Sequence, residues 1–137
     1  MLPRSHLDLI DSPYTAVLTT VMPDGQPQST PVWCNRDGDD VLINTMHSFR
    51  KAANMRANPR VTLLIYDPAN PMRHIEIRGL VAEMREDGAL EHLDQLTQLY
   101  MQRPDVHFFG DCVPESEATT HTPIRIRITP QHVPVEG

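Results

Sequence analysis

Arg50 and Lys51 are adjacent cations at a place where a helix is predicted to begin. The segment 44–53 has the pattern of a strand end, a short turn and a helix, with Ser48 as the N-cap residue. Positive side chains in the first turn oppose the helix dipole, which favours negative charge at this end. A bound anion such as a phosphate would meet free amide N–H groups and both cations together. The alternative is a solvated pair of surface charges, since such charges are common and contribute little.

The composition limits the classes of protein to which the chain could belong. Its 137 residues are 39% hydrophobic and 22% charged, which are ordinary values for one globular domain that we expect to span residues 1–137. The formal net charge of −6 argues against nucleic-acid binding, because that function needs a basic face. No apolar run approaches the ~20 residues that span a bilayer, and the first residues lack the pattern of a secretory signal. We therefore expect a soluble cytoplasmic protein without a membrane or nucleic-acid partner.

The cysteines and the histidine-containing loop give no sign of a disulfide framework or a metal site. Cys34 and Cys112 lie far apart and form no CxxC pair. His107, Asp111 and His121 accompany Cys112, but their spacing matches no familiar metal site. We expect no bound metal, and we expect Cys34 to be a small buried apolar residue.

Six segments have the composition or the alternation of β-strands, and they are 14–21, 28–34, 41–45, 61–66, 74–84 and 122–129. Tight turns at 23–25 and 37–39 join the first three into an antiparallel meander. Pro31 has no ladder N–H and therefore marks an edge strand or a bulge, and Gly79 is a candidate bulge in the long fifth strand. The apolar run 61–66 predicts a strand buried on both faces.

Two helices are predicted between these strands, over 48–58 and 87–102, and the second is amphipathic. The segment 103–121 has little periodicity and is predicted to be a loop. It is too long for a mere connector, so we expect it to cover a pocket. Together the elements predict a mainly β fold, a six-stranded antiparallel barrel with small capping helices.

An ordered set of short motifs resembles the pyridoxamine 5'-phosphate oxidase-like superfamily. The motifs are QSTPVW at 28–33, NT at 44–45, RKAAN at 50–54, PRV at 59–61, DP at 67–68 and RHIEIRG at 73–79. The resemblance implies a split β-barrel that forms a homodimer. It also implies a cofactor, either FMN or the deazaflavin coenzyme F420, bound in a groove at the dimer interface.

The resemblance assigns ten cofactor-binding residues, which are Ser29, Pro31, Val32, Trp33, Asn44, Thr45, Arg50, Lys51, Asn54 and His74. The first four would lie beside the flavin-type ring and its ribityl chain. Asn44 and Thr45 would approach the phosphate, and Arg50 with Lys51 would neutralise it, in agreement with the helix-terminus argument. His74 would be contributed across the dimer interface, and it stands where the oxidase proper has a glutamine.

The motifs are most similar to those of the deazaflavin-using branch. Arg125 and Arg127 alternate with isoleucines, as on the solvent face of a strand, and do not form the basic cluster that holds pyridoxal phosphate in the oxidase. The branch implies hydride transfer from reduced F420 to a small electron-poor organic substrate. Arg56, Arg60 and Arg73 are candidates for contacting the oligoglutamate tail of that cofactor.

Two alternatives stay open at the level of the sequence. The first is an FMN-dependent oxidase or reductase of the pyridoxamine phosphate oxidase type. The second is a non-catalytic protein that stores or shields the cofactor or binds haem. This second alternative is favoured by the lack of an assigned catalytic acid, although Tyr66, His74, His107 and His121 could each donate a proton.

Overall fold

The computed structural model describes residues 1–134, in which short helices alternate with seven strands. The strands are β1 (Ala16–Val21), β2 (Pro27–Val32), β3 (Cys34–Asp37), β4 (Asp40–Met46), β5 (Arg60–Asp67), β6 (Asn70–Arg85) and β7 (Pro123–His132). The helices are α1 (Leu7–Asp11), α2 (Arg50–Ala57) and α3 (Ala89–Met101), with single turns at Arg4–His6, Phe108–Cys112 and Glu115–Thr119. None of the described helices is long and apolar enough to cross a membrane.

The strands form one antiparallel sheet in the order β2-β1-β5-β6-β7-β4-β3. β2 and β3 are separated in sequence by Trp33 alone, yet they lie at opposite ends of this order. Since β2 bonds to β1 and β3 bonds to β4, the chain at Trp33 crosses between the two ends of the sheet. The ends meet there without a continuous hydrogen-bonded ladder, which is the architecture of a split barrel. The predicted class, a mainly β antiparallel split barrel with small helices, is confirmed.

The strand count is seven where six were predicted, because the predicted strand 28–34 divides at Trp33. Val32 ends the strand that bonds to β1, and Cys34 begins the strand that bonds to β4. Composition could not reveal this division, since both halves are extended and differ only in their bonding partner. Pro31 lies in β2, which is an edge strand as the missing N–H predicted.

The core is built by residues that alternate along the strands. Ile124, Ile126 and Ile128 of β7 are buried, as the clean alternation of that segment predicted. The prediction that β5 is buried on both faces is wrong for the single chain, because Leu64 is 37% exposed and Tyr66 is 40% exposed. Alternate side chains of a strand point to opposite faces, so the second apolar set of β5 lies on the outer surface of the barrel.

Helix α2 begins at Arg50, with Phe49 at its N-cap position where Ser48 was predicted. The Phe49 N–H donates to the carbonyl oxygen of Met46 at 3.0 Å, which closes a turn and keeps Phe49 extended. The helix therefore starts one residue later than predicted, and no side chain of the described residues caps it. Arg50 and Lys51 remain in its first turn.

The turn Arg4–His6 and helix α1 were not predicted. Leu9 and Ile10 of α1 are fully buried in the core cluster. Arg73 of β6 holds the helix from outside, with its guanidinium 2.8 Å from the Asp8 carboxylate. A five-residue helix contains less than two turns of periodic pattern, so its residues gave no helical signal.

Gly79 lies at the predicted bulge, where the pairing of β6 with β7 shifts register. A Cβ atom at Gly79 would lie 2.8 Å from both Ile128 Cγ2 and the carbonyl oxygen of Thr129.

We expect Gly79→Ala to lower the free energy of unfolding by about 1–3 kcal/mol, because the sheet has no room for the methyl group. Urea denaturation followed by circular dichroism measures the change. Ala82→Ser, on the exposed face of the same strand, is the control and should shift stability by less than about 0.5 kcal/mol. A Gly79→Ala variant as stable as the natural chain would contradict the close approach.

Candidate functional site

A cavity of about 320 Å³ lies at the place where the chain crosses from β2 to β3. It is bounded by β4, by the start of α2, by one face of α3 and by the turn that follows α3. Its lining residues are Thr15, Pro31, Val32, Trp33, Asn44, Thr45, Met46, Phe49, Lys51, Leu93, Leu96 and Phe108. Six of the ten residues assigned from the resemblance are brought together here, and they are Pro31, Val32, Trp33, Asn44, Thr45 and Lys51.

One wall of the cavity is aromatic. Trp33 stacks on Tyr100 with ring centroids 5.1 Å apart and an interplanar angle of 15°, and Phe108 meets Trp33 edge-on at 6.4 Å. The Tyr100 hydroxyl accepts from the Cys34 N–H at 3.0 Å and donates to the Tyr14 carbonyl at 2.7 Å. These contacts hold the Trp33 ring in place, so the wall offers a preformed apolar surface of the kind on which a planar ring packs.

Lys51 is the only lysine in the chain and, among the described residues, the only charged side chain in the lining. Burial lowers the pKa of its amine, and no carboxylate of residues 1–134 offsets this effect. A bound anion would supply the missing opposite charge and raise the pKa again. Arg50 is the neighbouring cation, but it lies about 100° further round the helix, is exposed, and does not line the cavity.

Asn44 and Thr45 are polar lining residues, and each has an unsatisfied side-chain atom within residues 1–134. Among the described residues, Asn44 Oδ1 and Thr45 Oγ1 are buried and have no hydrogen-bond partner. Leaving such an atom unpaired costs about 1–3 kcal/mol, so buried polar atoms normally have a partner. A ligand with both donors and acceptors would satisfy the two atoms. The polar groups, the buried cation and the aromatic wall together fit a ring-bearing phosphorylated cofactor.

The amide of Asn44 is held from behind by His92, a residue that sequence analysis did not single out. Asn44 Nδ2 lies 2.9 Å from the Ala89 carbonyl oxygen and 3.1 Å from His92 Nδ1, and His92 Nε2 lies 2.9 Å from Asn35 Oδ1. His92 is 3% exposed, and burial together with the charge of Arg125 lowers its pKa to about 4. The imidazole is therefore neutral at physiological pH. A histidine among leucines of an amphipathic helix carries no sequence signal that separates this role from a surface position.

Asn54 and Ser29, two of the assigned residues, lie outside the cavity lining. Asn54 is buried, and its amide donates to Thr20 Oγ1 at 3.0 Å and to Gln28 Oε1 at 3.1 Å. These bonds attach α2 to the β1–β2 hairpin, which holds the cation-bearing helix in position. Ser29 is exposed on the edge strand, with its hydroxyl 2.9 Å from Thr19 Oγ1.

His74 also lies away from the cavity of its own chain. It pairs with Tyr66 across β5 and β6, and its Nδ1 lies 3.0 Å from the Met72 carbonyl oxygen. The resemblance assigns His74 to the site of a partner subunit, so its distance from this cavity agrees with that assignment without testing it. The neighbouring Arg73, a candidate for the cofactor tail, is instead bound to Asp8.

The segment after α3 places Phe108 in the cavity wall. Asp94 of α3 accepts from the Phe108 N–H at 2.9 Å, and its other oxygen lies 3.1 Å from His107 Nδ1. Asp94 raises the pKa of His107 through this contact. The predicted loop 103–121 thus contributes a lining residue, and two short turns are its only regular structure among the described residues. Phe108 was not predicted as a site residue, because only the fold of the loop back onto α3 brings it there.

The buried neutral His92 makes the stability of the fold depend on pH. Its pKa is about 4 in the folded protein and 6.5 as the ordinary value. Between these values the unfolded chain binds more protons, so the free energy of unfolding rises with pH through this window and levels off above it. The difference corresponds to a contribution on the order of 3 kcal/mol. We expect His92→Gln to remove most of the slope, measured by urea denaturation at a series of pH values.

His107→Gln is the control, because the contribution of His107 to the free energy of unfolding falls with rising pH, whereas that of His92 rises. The contact of His107 with Asp94 stabilises the protonated imidazole, so its contribution is present below about pH 6.5 and is lost as the pH rises. The ring is exposed, and solvent screening keeps the effect small. If His92→Gln kept the full acid slope of the natural chain, the buried neutral state of His92 would be disproved.

Comparison with known proteins relates this chain to one family and to several solved structures. A family model described as pyridoxamine 5'-phosphate oxidase matches residues 2–133. A solved structure named F420 reductase is 27% identical with a TM-score of 0.82, and the match covers 98% of this chain and 100% of that chain. A conserved hypothetical protein from Mycobacterium tuberculosis shares the fold at 24% identity and a TM-score of 0.69, over 97% of this chain and 83% of that chain. HupZ of Group A Streptococcus shares it at 18% identity and a TM-score of 0.67, over 97% and 92%. No curated protein matches the chain.

The family match includes every element that forms the cavity. The lining residues run from Thr15 to Phe108, and all of them fall inside the matched segment. The family as a whole supports, in general terms, an oxidoreductase that binds a flavin or a deazaflavin. With residues 2–133 of its 137 residues matched, this chain belongs to the pyridoxamine 5'-phosphate oxidase family.

Proposed function

We propose that the protein is an oxidoreductase that binds reduced F420 in the cavity and transfers a hydride to a small electron-poor organic substrate. The observation that carries the proposal is Lys51, a partly buried cation that has no carboxylate partner among the described residues. An amine in this position is costly by itself and favourable beside an anion. A phosphate is the anion that F420 and FMN would both bring.

The lining residues divide into groups suited to different parts of such a cofactor. Lys51 would hold the phosphate, with Arg50 adding its charge from the outer side of the same helical turn. Thr45 Oγ1 has no hydrogen-bond partner within residues 1–134 and can donate to a phosphate oxygen. Trp33 and Phe108 would pack against the apolar ring system.

The protein has few groups that could take part in the chemistry directly. A bound reduced deazaflavin supplies the hydride, and the chain itself binds, orients and excludes water. The substrate must also gain a proton, and no lining side chain other than Lys51 is ionisable among residues 1–134. His121 packs edge-on against the lining residue Phe49 with centroids 5.7 Å apart, and its buried Nδ1 has no partner among those residues. It is our candidate proton donor.

The choice of F420 over FMN is supported by the full-length likeness to the structure named F420 reductase. FMN remains the first alternative, because both cofactors share the phosphate and a planar ring. The second alternative is a protein that binds a cofactor or haem without turnover. It is favoured by the scarcity of ionisable side chains in the cavity lining.

A homodimer is part of the proposal. Leu64 and Tyr66 of β5 and Leu80 of β6 are exposed apolar residues on the outer surface of the barrel. A second copy of the chain would cover such residues and remove them from water. His74 lies opposite Tyr66 in the same pair of strands, so the same contact would bring it towards the partner's site.

Cofactor binding is tested by fluorescence titration with F420 and with FMN in parallel. We expect saturable binding of F420 that is tighter than binding of FMN. Lys51→Met should weaken the preferred cofactor by at least about 10-fold, because a charge-assisted contact contributes roughly 1.5–3 kcal/mol. Arg4→Met removes an exposed charge near the N-terminus and serves as the matched control with unchanged affinity.

The single lysine allows a direct spectroscopic check of the same assignment. Reductive methylation with carbon-13 formaldehyde labels Lys51 and the chain terminus only, and their NMR signals can be titrated separately. The Lys51 pKa should lie below its ordinary value in the free protein and rise when the phosphorylated cofactor binds. Binding of neither cofactor would overturn the proposed function, whereas preference for FMN would select the first alternative.

The dimer is tested by sedimentation velocity. We expect the natural chain to sediment as a dimer, and Leu64→Glu to sediment as a monomer, because a buried unpaired carboxylate opposes association. Leu90→Glu, at an exposed position on α3, is the matched control and should remain dimeric. A monomeric natural chain at micromolar concentration would contradict the homodimer.

A further inference from the structure

The orientation of the Asn44 amide is determined by its neighbours. The Ala89 carbonyl oxygen, 2.9 Å away, can only accept, so the atom beside it must be the nitrogen Nδ2. The second hydrogen of Nδ2 points to His92 Nδ1 at 3.1 Å, which must then be the unprotonated nitrogen of the ring. His92 Nε2 therefore carries the proton and donates it to Asn35 Oδ1 at 2.9 Å. One backbone carbonyl thus sets the donor and acceptor roles along the whole chain Asn35–His92–Asn44.

Asn44 is a lining residue whose side chain has an acceptor, and no donor, left for a ligand. Both of its N–H bonds are used inside the protein, and the atom left over is the buried Oδ1, which has no partner in the part of the chain that the structure describes. A phosphate offers only acceptor oxygens when fully ionised, so it would gain nothing from Asn44. The side-chain donors in the lining that could serve an anion are Lys51, the hydroxyls of Thr15 and Thr45, and the indole N–H of Trp33. The polar lining therefore has two parts: the donors around Lys51, which suit an anion, and the acceptor Oδ1 of Asn44, which suits an N–H or O–H group.

Resting on the proposed function, we propose that Asn44 is a specificity-determining residue that accepts a hydrogen bond from an N–H or O–H on the uncharged part of the cofactor. His92 is the positioning residue that fixes this acceptor. His92 is buried and is not itself a lining residue, and its hydrogen bond with Asn44 connects it to the cavity. A ligand that places a carbonyl or an ether oxygen against Asn44 would leave two acceptors facing each other and would bind more weakly.

The test compares phosphorylated and phosphate-free forms of the cofactor that the natural chain binds: F420 with deazariboflavin, or FMN with riboflavin. Asn44→Leu should weaken the binding of both forms by the same factor, roughly 10-fold, because it removes one hydrogen bond to the part that the two forms share. Lys51→Met should weaken the phosphorylated form alone. The two variants therefore separate the acceptor from the anion-binding side within one set of titrations.

The role of His92 is tested by a double-mutant cycle. His92→Leu should lose the same factor as Asn44→Leu, and the double variant should lose no more than either single variant, because both changes remove the same contact. His92→Gln should restore binding to within about 2-fold, since its amide can accept from Asn44 and donate to Asn35 as the imidazole does. A merely structural role would not give this rescue together with this non-additivity.

An NMR measurement on the natural chain keeps the inference decidable if a variant fails to fold. The nitrogen-15 shifts of His92 should report a neutral ring with its proton on Nε2, and a proton on Nδ1 would overturn the inference. So would an Asn44→Leu variant that binds both forms like the natural chain, or one that loses only the phosphorylated form. Failure of the natural chain to bind F420 and FMN is a different result, because it would overturn the proposed function itself.

Discussion

The structure depends on the crossing of the chain at Trp33. The sheet ends at β2 on one side and at β3 on the other, and these two strands are consecutive in sequence but bonded to different neighbours. Because no ladder joins these two strands, the sheet has a gap there, and Pro31, Val32 and Trp33 line the cavity beside it. The backbone groups exposed by the gap need partners, and the Tyr100 hydroxyl bonds to the Cys34 N–H and the Tyr14 carbonyl. The same tyrosine stacks on Trp33, so one side chain closes the gap and builds the cavity wall.

The cavity contains a positive charge although the chain as a whole is negatively charged. The formal net charge is −6, and the single lysine is nevertheless placed where no carboxylate of the described residues reaches it. Several arginines of the chain are engaged by acids, as Arg127 is by Asp37 and Asp40. Leaving one cation unpaired in a partly apolar cavity opposes folding stability. Such a conflict is typical of a site that a ligand completes.

The polar network behind the cavity separates positioning from contact. Asn54 ties α2 to the β1–β2 hairpin and so determines where Lys51 lies, although Asn54 itself is outside the lining. His92 determines which atom Asn44 offers, although it is likewise outside the lining. Rigid supporting groups of this kind hold site residues in one geometry before a ligand arrives. Binding then requires less ordering of the protein.

The sequence by itself determined the strands, the amphipathic helix α3, the bulge at Gly79 and the basic pair of α2, because these depend on local alternation, composition and motif. Tertiary structure decided which of the pair enters the cavity, where the second strand divides, and that Phe108 and His92 belong to the site. A local pattern reports the face on which a side chain lies but not the element that packs against that face. The donor and acceptor roles in the site arise from such contacts between elements distant in sequence, so only the folded chain could define them.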